Sequence, residues 1–296
     1  MAGRFAPSPT SDLHVGNLRT AVVSWLAARH AGVPHLIRVE DLDATRVKAA
    51  PEVATRQLAD LAAIGVVPDG EVVWQSRRLD LYEAAVNRLP TYECYCTRRE
   101  IAEAASAPHD DGHRPYPGTC RELSAAARAA RRAERPPALR VDARGAVVTV
   151  RDRWAGEVTG TVDDFVVRRN DGAHAYNLAV VVDDLEQGVT QVVRGDDLLT
   201  SSPRQAWLAR ALGGTEPEYA HVGLVTNAVG ARLAKRDGVV TLADLAGQGW
   251  TPGRVLSLIG NSLGLCEADE PVDLDALLAR FDPALRPEVW VFPPAR

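Results

Sequence analysis

An alternation of short apolar strands with helical stretches over residues 1–90 constrains the fold more than any other feature of this chain. Gly3 to Ala6 reads as a strand, and Pro7 and Pro9 force an extended turn after it. Asn17 to His30 reads as a helix, because Leu18, Val22, Trp25, Leu26 and Arg29 recur at helical spacing; Gly32 and Pro34 then stop it. His35 to Val39 is a second strand that ends in the acidic turn Glu40-Asp41-Leu42-Asp43. Pro51 to Ile64 is a helix with proline in its first turn, Val72 to Trp74 a third strand and Leu79 to Leu89 another helix. Strand, helix, strand, helix implies a parallel sheet with right-handed crossovers, whose ligands bind beyond the carboxyl ends of the strands. Both the Pro7–Pro9 turn and Glu40 lie at such ends.

Residues 91–160 break that rhythm. They hold three cysteines, a loop rich in Pro, Gly, His and Asp, and an Ala/Arg helix near Ser124 to Glu134. Strands are expected again at Phe165 to Arg168, Tyr176 to Val182 and Val189 to Val193, then a helix from Pro203 to Leu212 and a strand near Tyr219 to Val225. Helices follow near Leu242 to Ala246, Pro252 to Leu263 and Leu274 to Arg280, before a Pro-rich tail. The expected organisation is an α/β fold in two halves, 1–90 and 161–230, split by an insertion at 91–160 and followed by a small helical extension at 231–296.

At 296 residues, 46% hydrophobic and 25% charged, the chain can bury two packed units. No apolar run is long enough to span a membrane, and Met1 to Pro7 lacks the apolar core of a secretory signal. A cytoplasmic, monomeric protein without membrane contact is expected. The formal net charge of −5 argues against a nucleic-acid coat protein but leaves room for a local basic face. Of four cysteines, Cys94, Cys96 and Cys120 cluster and Cys266 stands alone, a poor disulfide framework and a fair metal site.

Two further segments carry chemistry. The first is Arg4-Phe5-Ala6-Pro7-Ser8-Pro9-Thr10, followed by His14-Val15-Gly16-Asn17; the second is Arg232-Leu233-Ala234-Lys235-Arg236-Asp237-Gly238. Together they resemble the HIGH and KMSKS signatures of class I aminoacyl-tRNA synthetases, which implies a Rossmann-type catalytic domain. The segments "RFAPSPTSDLHVGNLRTA", "IRVEDLDATR", "AYNLAVVVDDLEQGVTQVVRGDDLL" and "RLAKRDG" are similar to those of glutamyl-tRNA synthetases and their short paralogues, the glutamyl-queuosine tRNA(Asp) synthetases. The full-length enzymes continue well past the second signature into anticodon-binding domains. This sequence ends at Arg296, so the short family is the expected one. The resemblance implies activation of L-glutamate by ATP, with Mg²⁺ arriving on the nucleotide, and transfer of the glutamyl group to the queuosine base of tRNA(Asp).

Adenylate formation attacks the α-phosphorus of ATP with a carboxylate and expels pyrophosphate. It needs positioning and positive charge more than covalent help. His14, Gly16 and Asn17 would bring a helix N-terminus, which favours anions, close to the nucleotide, and Lys235 would contact the phosphates. By the same resemblance Arg4, Phe5, Ala6, Pro7 and Ser8 would line the glutamate pocket, Glu40 would accept the ammonium, and Tyr176 and Arg194 would complete it. An amino acid with two carboxylates and one ammonium asks for two arginines and one acid, and this set supplies them.

Cys94-x-Cys96 and Cys120 offer three soft ligands where structural zinc takes four. His109, Asp111, His113 and Tyr116 are candidates for the fourth. Composition favours a histidine, whereas the resemblance points to Tyr116. Two positions depart from the family pattern: Ser11 stands where Gly is usual, and Ala234 where Ser is common. Asp183-Asp184 and Asp196-Asp197 read as strand-end turns that cap helices or hold Arg194. The runs Ala125 to Arg135 and Arg151 to Arg153 could form part of a basic surface. Two other functions remain open: a truncated glutamyl-tRNA synthetase charging a 3′ end, and a catalytically silent synthetase-like binding module.

Overall fold

The computed structural model describes residues 1–42, 50–97, 99–101, 115–233 and 240–292. In chain order the strands are β1 (Ala2–Phe5), β2 (His35–Val39), β3 (Val73–Trp74), β4 (Thr91–Cys94), β5 (Ala138–Val141), β6 (Ala146–Asp152), β7 (Gly156–Val162), β8 (Val166–Arg168), β9 (Val189–Gly195), β10 (Glu218–Val222), β11 (Val225–Thr226) and β12 (Trp290–Val291). Seven of them form one sheet in the order β3-β2-β1-β9-β10-β6-β7. Every pairing in it is parallel except the β6–β7 hairpin. The order reverses between β1 and β9, which makes their carboxyl ends the topological switch point where α/β sheets bind ligands. A three-stranded antiparallel sheet, β4-β5-β8, carries the cysteine-bearing segment.

The helix Val15–His30 follows β1 and is buried almost all round, from Val15 and Leu18 to Leu26 and Ala28. Gly32, at φ +66°, and Pro34 end it as the sequence predicts. It packs one face of the sheet against the helices Pro252–Ser262 and Leu274–Arg280, with Leu18, Val22, Ile37, Leu61, Ile259 and Leu277 in a single cluster. The other face is covered by the helices Tyr176–Glu186 and Ser202–Ala211, through Leu178, Val181, Val192, Leu208 and Tyr219.

Several sequence expectations change. The segment expected as a strand from Tyr176 to Val182 is the first part of the helix Tyr176–Glu186. Its Leu-Ala-Val-Val-Val run is buried on every side, so it shows neither helical nor strand periodicity. Asp183 and Asp184 therefore sit in a helix rather than in a strand-end turn. The strand Val166–Arg168 joins the small sheet and not the large one. In the tail, β12 pairs in parallel with β11. Residues 146–162, within the span read as the insertion, form one edge of the main sheet.

His35 on β2 is fully buried, with Nε2 at 3.2 Å from Ser24 Oγ and Nδ1 without a partner among the described residues. Burial, aided by Arg29, pulls its pKa down to about 4. The unfolded imidazole takes up a proton below about pH 6.5, whereas the folded one resists. The stability contributed by a neutral His35 is thus complete above that pH and lost as pH falls toward 4, at up to about 1.4 kcal/mol per pH unit. Urea midpoints should fall across this window, and His35→Gln should flatten the fall between pH 6.5 and 5. An unchanged slope in that variant counts against the assignment.

Candidate active site

A cavity of about 1000 Å³ opens at the switch point. The structure brings Arg4, Phe5, Ala6, Pro7, Ser8, His14, Gly16, Asn17, Glu40, Tyr176 and Arg194 together on its walls. Lys235, together with Ala234, lies outside the described residues. The positions flanking that segment are held beside the first signature. Leu233 N–H donates to the Val225 carbonyl, and Val15 N–H donates to the Val240 carbonyl, both at 2.9 Å.

His14 is the N-cap of the helix Val15–His30. Its Nδ1 accepts from Asn17 N–H at 3.3 Å, and Asn17 Oδ1 accepts from His14 N–H at 3.2 Å, a reciprocal capping box. An accepting Nδ1 carries no proton, which leaves Nε2–H as the donor of this ring. Burial, with Arg232 nearby, holds the His14 pKa at about 4, so the ring is neutral at pH 7. A Cβ at Gly16 would lie 2.9 Å from the His14 ring and 3.2 Å from Val225. Glycine is needed here to seat the capping imidazole as well as to keep the helix end open. Ser11 does not adopt a positive φ, so this departure from the family pattern costs no backbone strain.

The turn after β1 is tied down by neighbours that carry no sequence signature. Gln57 Nε2 donates to the Ser8 and Ser11 carbonyls at 3.1 and 2.6 Å. Glu40 N–H donates to the Pro7 carbonyl at 3.0 Å, joining the ends of β1 and β2.

Below the cavity floor lies a buried ionic network. Arg4 pairs with Asp184 through Nε at 3.3 Å and a terminal nitrogen at 3.4 Å. Arg38, fully buried, donates to Asp184 at 2.7 Å, to Gln187 at 2.9 Å and to Glu40 at 3.3 Å. Asp183, also fully buried, accepts from Gln75, Arg78 and Tyr82 at 2.7–3.1 Å. The Asp pair thus anchors Arg4, Arg38 and Arg78 and not Arg194. Burial would raise the Asp184 pKa, but Arg4 and Arg38 hold its carboxyl below the usual range. For Glu40 burial wins over Arg38 and Arg4 and pushes the carboxyl up. An incoming ammonium would favour its charged form.

Arg194, at the end of β9, is 5% exposed. Among the described residues it forms no ion pair; Asp196 lies against Arg286 and Asp197 against Arg232. Its donors go to His221, to Gln205 Oε1 at 2.6 Å, to Ser202 Oγ at 2.8 Å and to the Leu198 carbonyl. In and beneath the cavity floor, Arg4, Arg38 and Arg78 are matched by Asp183, Asp184 and Glu40, while among the described residues Arg194 has no carboxylate in contact. Tyr176, 42% exposed at the start of its helix, presents its ring to the same space.

The cysteine segment lies apart from this cavity. Cys94, Cys96 and Cys120 bring their sulfurs within 4.8 Å of one another, a cluster that could hold a metal ion. Tyr116 Oη lies 3.4 Å from Cys94 Sγ and 3.6 Å from Cys96 Sγ. The alternatives His109, Asp111 and His113 lie outside the described residues. The Arg-rich helix Ala125–Glu134 is exposed; its Arg131 and Arg132, and Arg135 just beyond its end, pair with Glu100 and Glu93.

Residues 1–267 match the family model of the catalytic domain of class I tRNA synthetases (E and Q), and the chain belongs to that family. It is 58% identical to the glutamyl-Q tRNA(Asp) synthetase of Nocardia farcinica over 98% of this chain and 92% of that one. The corresponding protein of Cutibacterium acnes is 53% identical over 92% and 79%. The chain is thus a member of the glutamyl-Q tRNA(Asp) synthetase family. The glutamate-tRNA synthetase of Elizabethkingia anophelis superposes with a TM-score of 0.81 at 27% identity, over 98% of this chain and 68% of that one. A glutamate tRNA ligase from Elizabethkingia meningosepticum, solved in complex with its amino acid, gives 0.78 at 27%, over 95% and 64%. No helix among the described residues is long and apolar enough to cross a membrane.

Proposed function

We propose that this protein activates L-glutamate with ATP and transfers the glutamyl group to the queuosine base of tRNA(Asp). The observation that carries the proposal is Arg194, a buried guanidinium at the switch point with no carboxylate in contact among the described residues. Glutamate bears one net negative charge and would neutralise it. One carboxylate would meet Arg194 and the ammonium would meet Glu40, with Tyr176 and Arg4 completing the pocket. The other substrate carboxylate would face the α-phosphorus of ATP. Its oxygen forms the new bond while the bond to pyrophosphate breaks. Transfer to tRNA then releases AMP. His14 Nε2–H, the helix N-terminus at Gly16 and Asn17, and Lys235 would stabilise the phosphate charge.

The test is glutamate-dependent ATP–pyrophosphate exchange, with and without tRNA. Exchange with glutamate alone supports the proposal. Exchange only with tRNA(Glu) would indicate a synthetase that charges a 3′ end. No exchange in either case, from folded and zinc-replete protein, would overturn the enzyme reading.

A structural zinc ion would be held by Cys94, Cys96, Cys120 and Tyr116. A tetrahedral zinc–thiolate site sets its sulfurs roughly 3.7 Å apart, and Cys96 and Cys120 are at 3.5 Å. Tyr116 Oη also accepts from Cys120 N–H at 2.8 Å, and Arg140 lies 3.8 Å from the centre of its ring. Both favour a phenolate once a cation is bound. Elemental analysis should find one zinc per chain, lost in Cys94→Ser and retained with weaker affinity in Tyr116→Phe. Full-affinity zinc in Tyr116→Phe would remove Tyr116 from the ligand set.

A further inference from the structure

We infer that His221 is a positioning residue for glutamate recognition: held by Asp152 as a neutral acceptor, it aims Arg194 at the cavity without neutralising it. The inference rests on the reading of Arg194 as a carboxylate receptor.

The hydrogen bonds fix the tautomer. Arg194 Nε can only donate, and it points at His221 Nε2 at 3.0 Å. That nitrogen therefore carries a lone pair, and the imidazole proton sits on Nδ1. Nδ1–H in turn donates to Asp152 Oδ2 at 2.6 Å. Asp152 is locked by its other oxygen, which accepts from Trp154 N–H at 3.0 Å and Ala155 N–H at 2.8 Å in the β6–β7 turn. His221 and Asp152 are each 1% exposed. Burial lowers the His221 pKa and Arg194 lowers it further, against the pull of Asp152, in keeping with a neutral ring.

The chain solves a conflict between two electrostatic requirements. A buried guanidinium needs compensation. A carboxylate in direct contact would supply it, but would compete with the substrate carboxylate. Here the balancing charge, Asp152, is set one imidazole away. Among the described residues every group in hydrogen-bond contact with Arg194 is neutral, and the Tyr219 ring lies beneath it, 5.3 Å from centroid to guanidinium carbon. Orientation is fixed while the charge facing the cavity is kept. The β6–β7 hairpin, far from the signatures in sequence, thereby reaches the glutamate pocket through β10.

The test compares two variants by exchange kinetics and glutamate calorimetry. Gln can place its amide oxygen where Nε2 accepts. Asn keeps a donor toward Asp152 but cannot reach Arg194. His221→Asn should raise the glutamate KM by about tenfold or more, with kcat and the ATP KM within about threefold of wild type. His221→Gln should restore most of the loss. Equal KM changes in both variants, or losses confined to kcat or to the ATP KM, would overturn the inference and leave the functional reading standing. Wild-type protein that neither binds glutamate nor supports exchange would overturn both. Independently of any variant, ¹⁵N NMR of the wild-type imidazole should show a protonated Nδ1 and a bare Nε2 at neutral pH. The opposite tautomer, or an imidazolium, would refute it.

Discussion

Asp184→Asn should destabilise the fold by about 3–5 kcal/mol, since it removes one partner from a buried ionic cluster. Asparagine keeps the volume but leaves Arg38, fully buried, and Arg4, 4% exposed, sharing less negative charge. Its amide must also present N–H to a guanidinium on one side. The urea midpoint should drop with little change in slope. Asp171→Asn, which breaks the exposed Arg169–Asp171 pair, should stay within about 1 kcal/mol. Comparable losses in the two variants would mean that the network is far better solvated than its burial implies. Because Arg4 is freed at its inner end, Asp184→Asn should also weaken glutamate binding in whatever fraction remains folded.

Arg194→Lys should raise the glutamate KM by roughly 10²-fold, and Arg194→Leu by roughly 10³-fold, with the ATP KM changed little. Lysine restores the charge but not the planar fork that spans His221, Gln205 and Ser202. Leucine removes the charge and orphans those buried acceptors, so a stability loss of about 1–3 kcal/mol should accompany it. Exchange kinetics with glutamate and ATP varied separately check the result. An equal rise in both Michaelis constants would place Arg194 in the framework rather than in the amino-acid pocket.

The cavity wall was readable because its residues lie in short contiguous segments at strand ends. Arg4 to Ser8, His14 to Asn17 and Glu40 each follow a strand that the apolar pattern reveals. The supports behind the wall were not readable. Gln57, Ser202, Gln205 and His221 are polar residues inside ordinary helices and a strand. Nothing local distinguishes them from solvent-facing positions, since what matters is which guanidinium or carbonyl they meet across the fold. The same holds for Asp183 and Asp184. Their pairing with Arg4, Arg38 and Arg78 links positions more than a hundred residues apart, and the β-branched run before them hid the helix that presents them.

The sequence by itself determined the parallel α/β class, the two signature segments and the cysteine trio. These depend on periodicity, turn chemistry and residue type, all of which are local. Only the tertiary structure decided which carboxylates meet which arginines, that Arg194 is left with neutral partners, and that the tail supplies a strand beside β11. Those outcomes are set by burial, where a charge must find compensation from any part of the chain that the packing brings within reach.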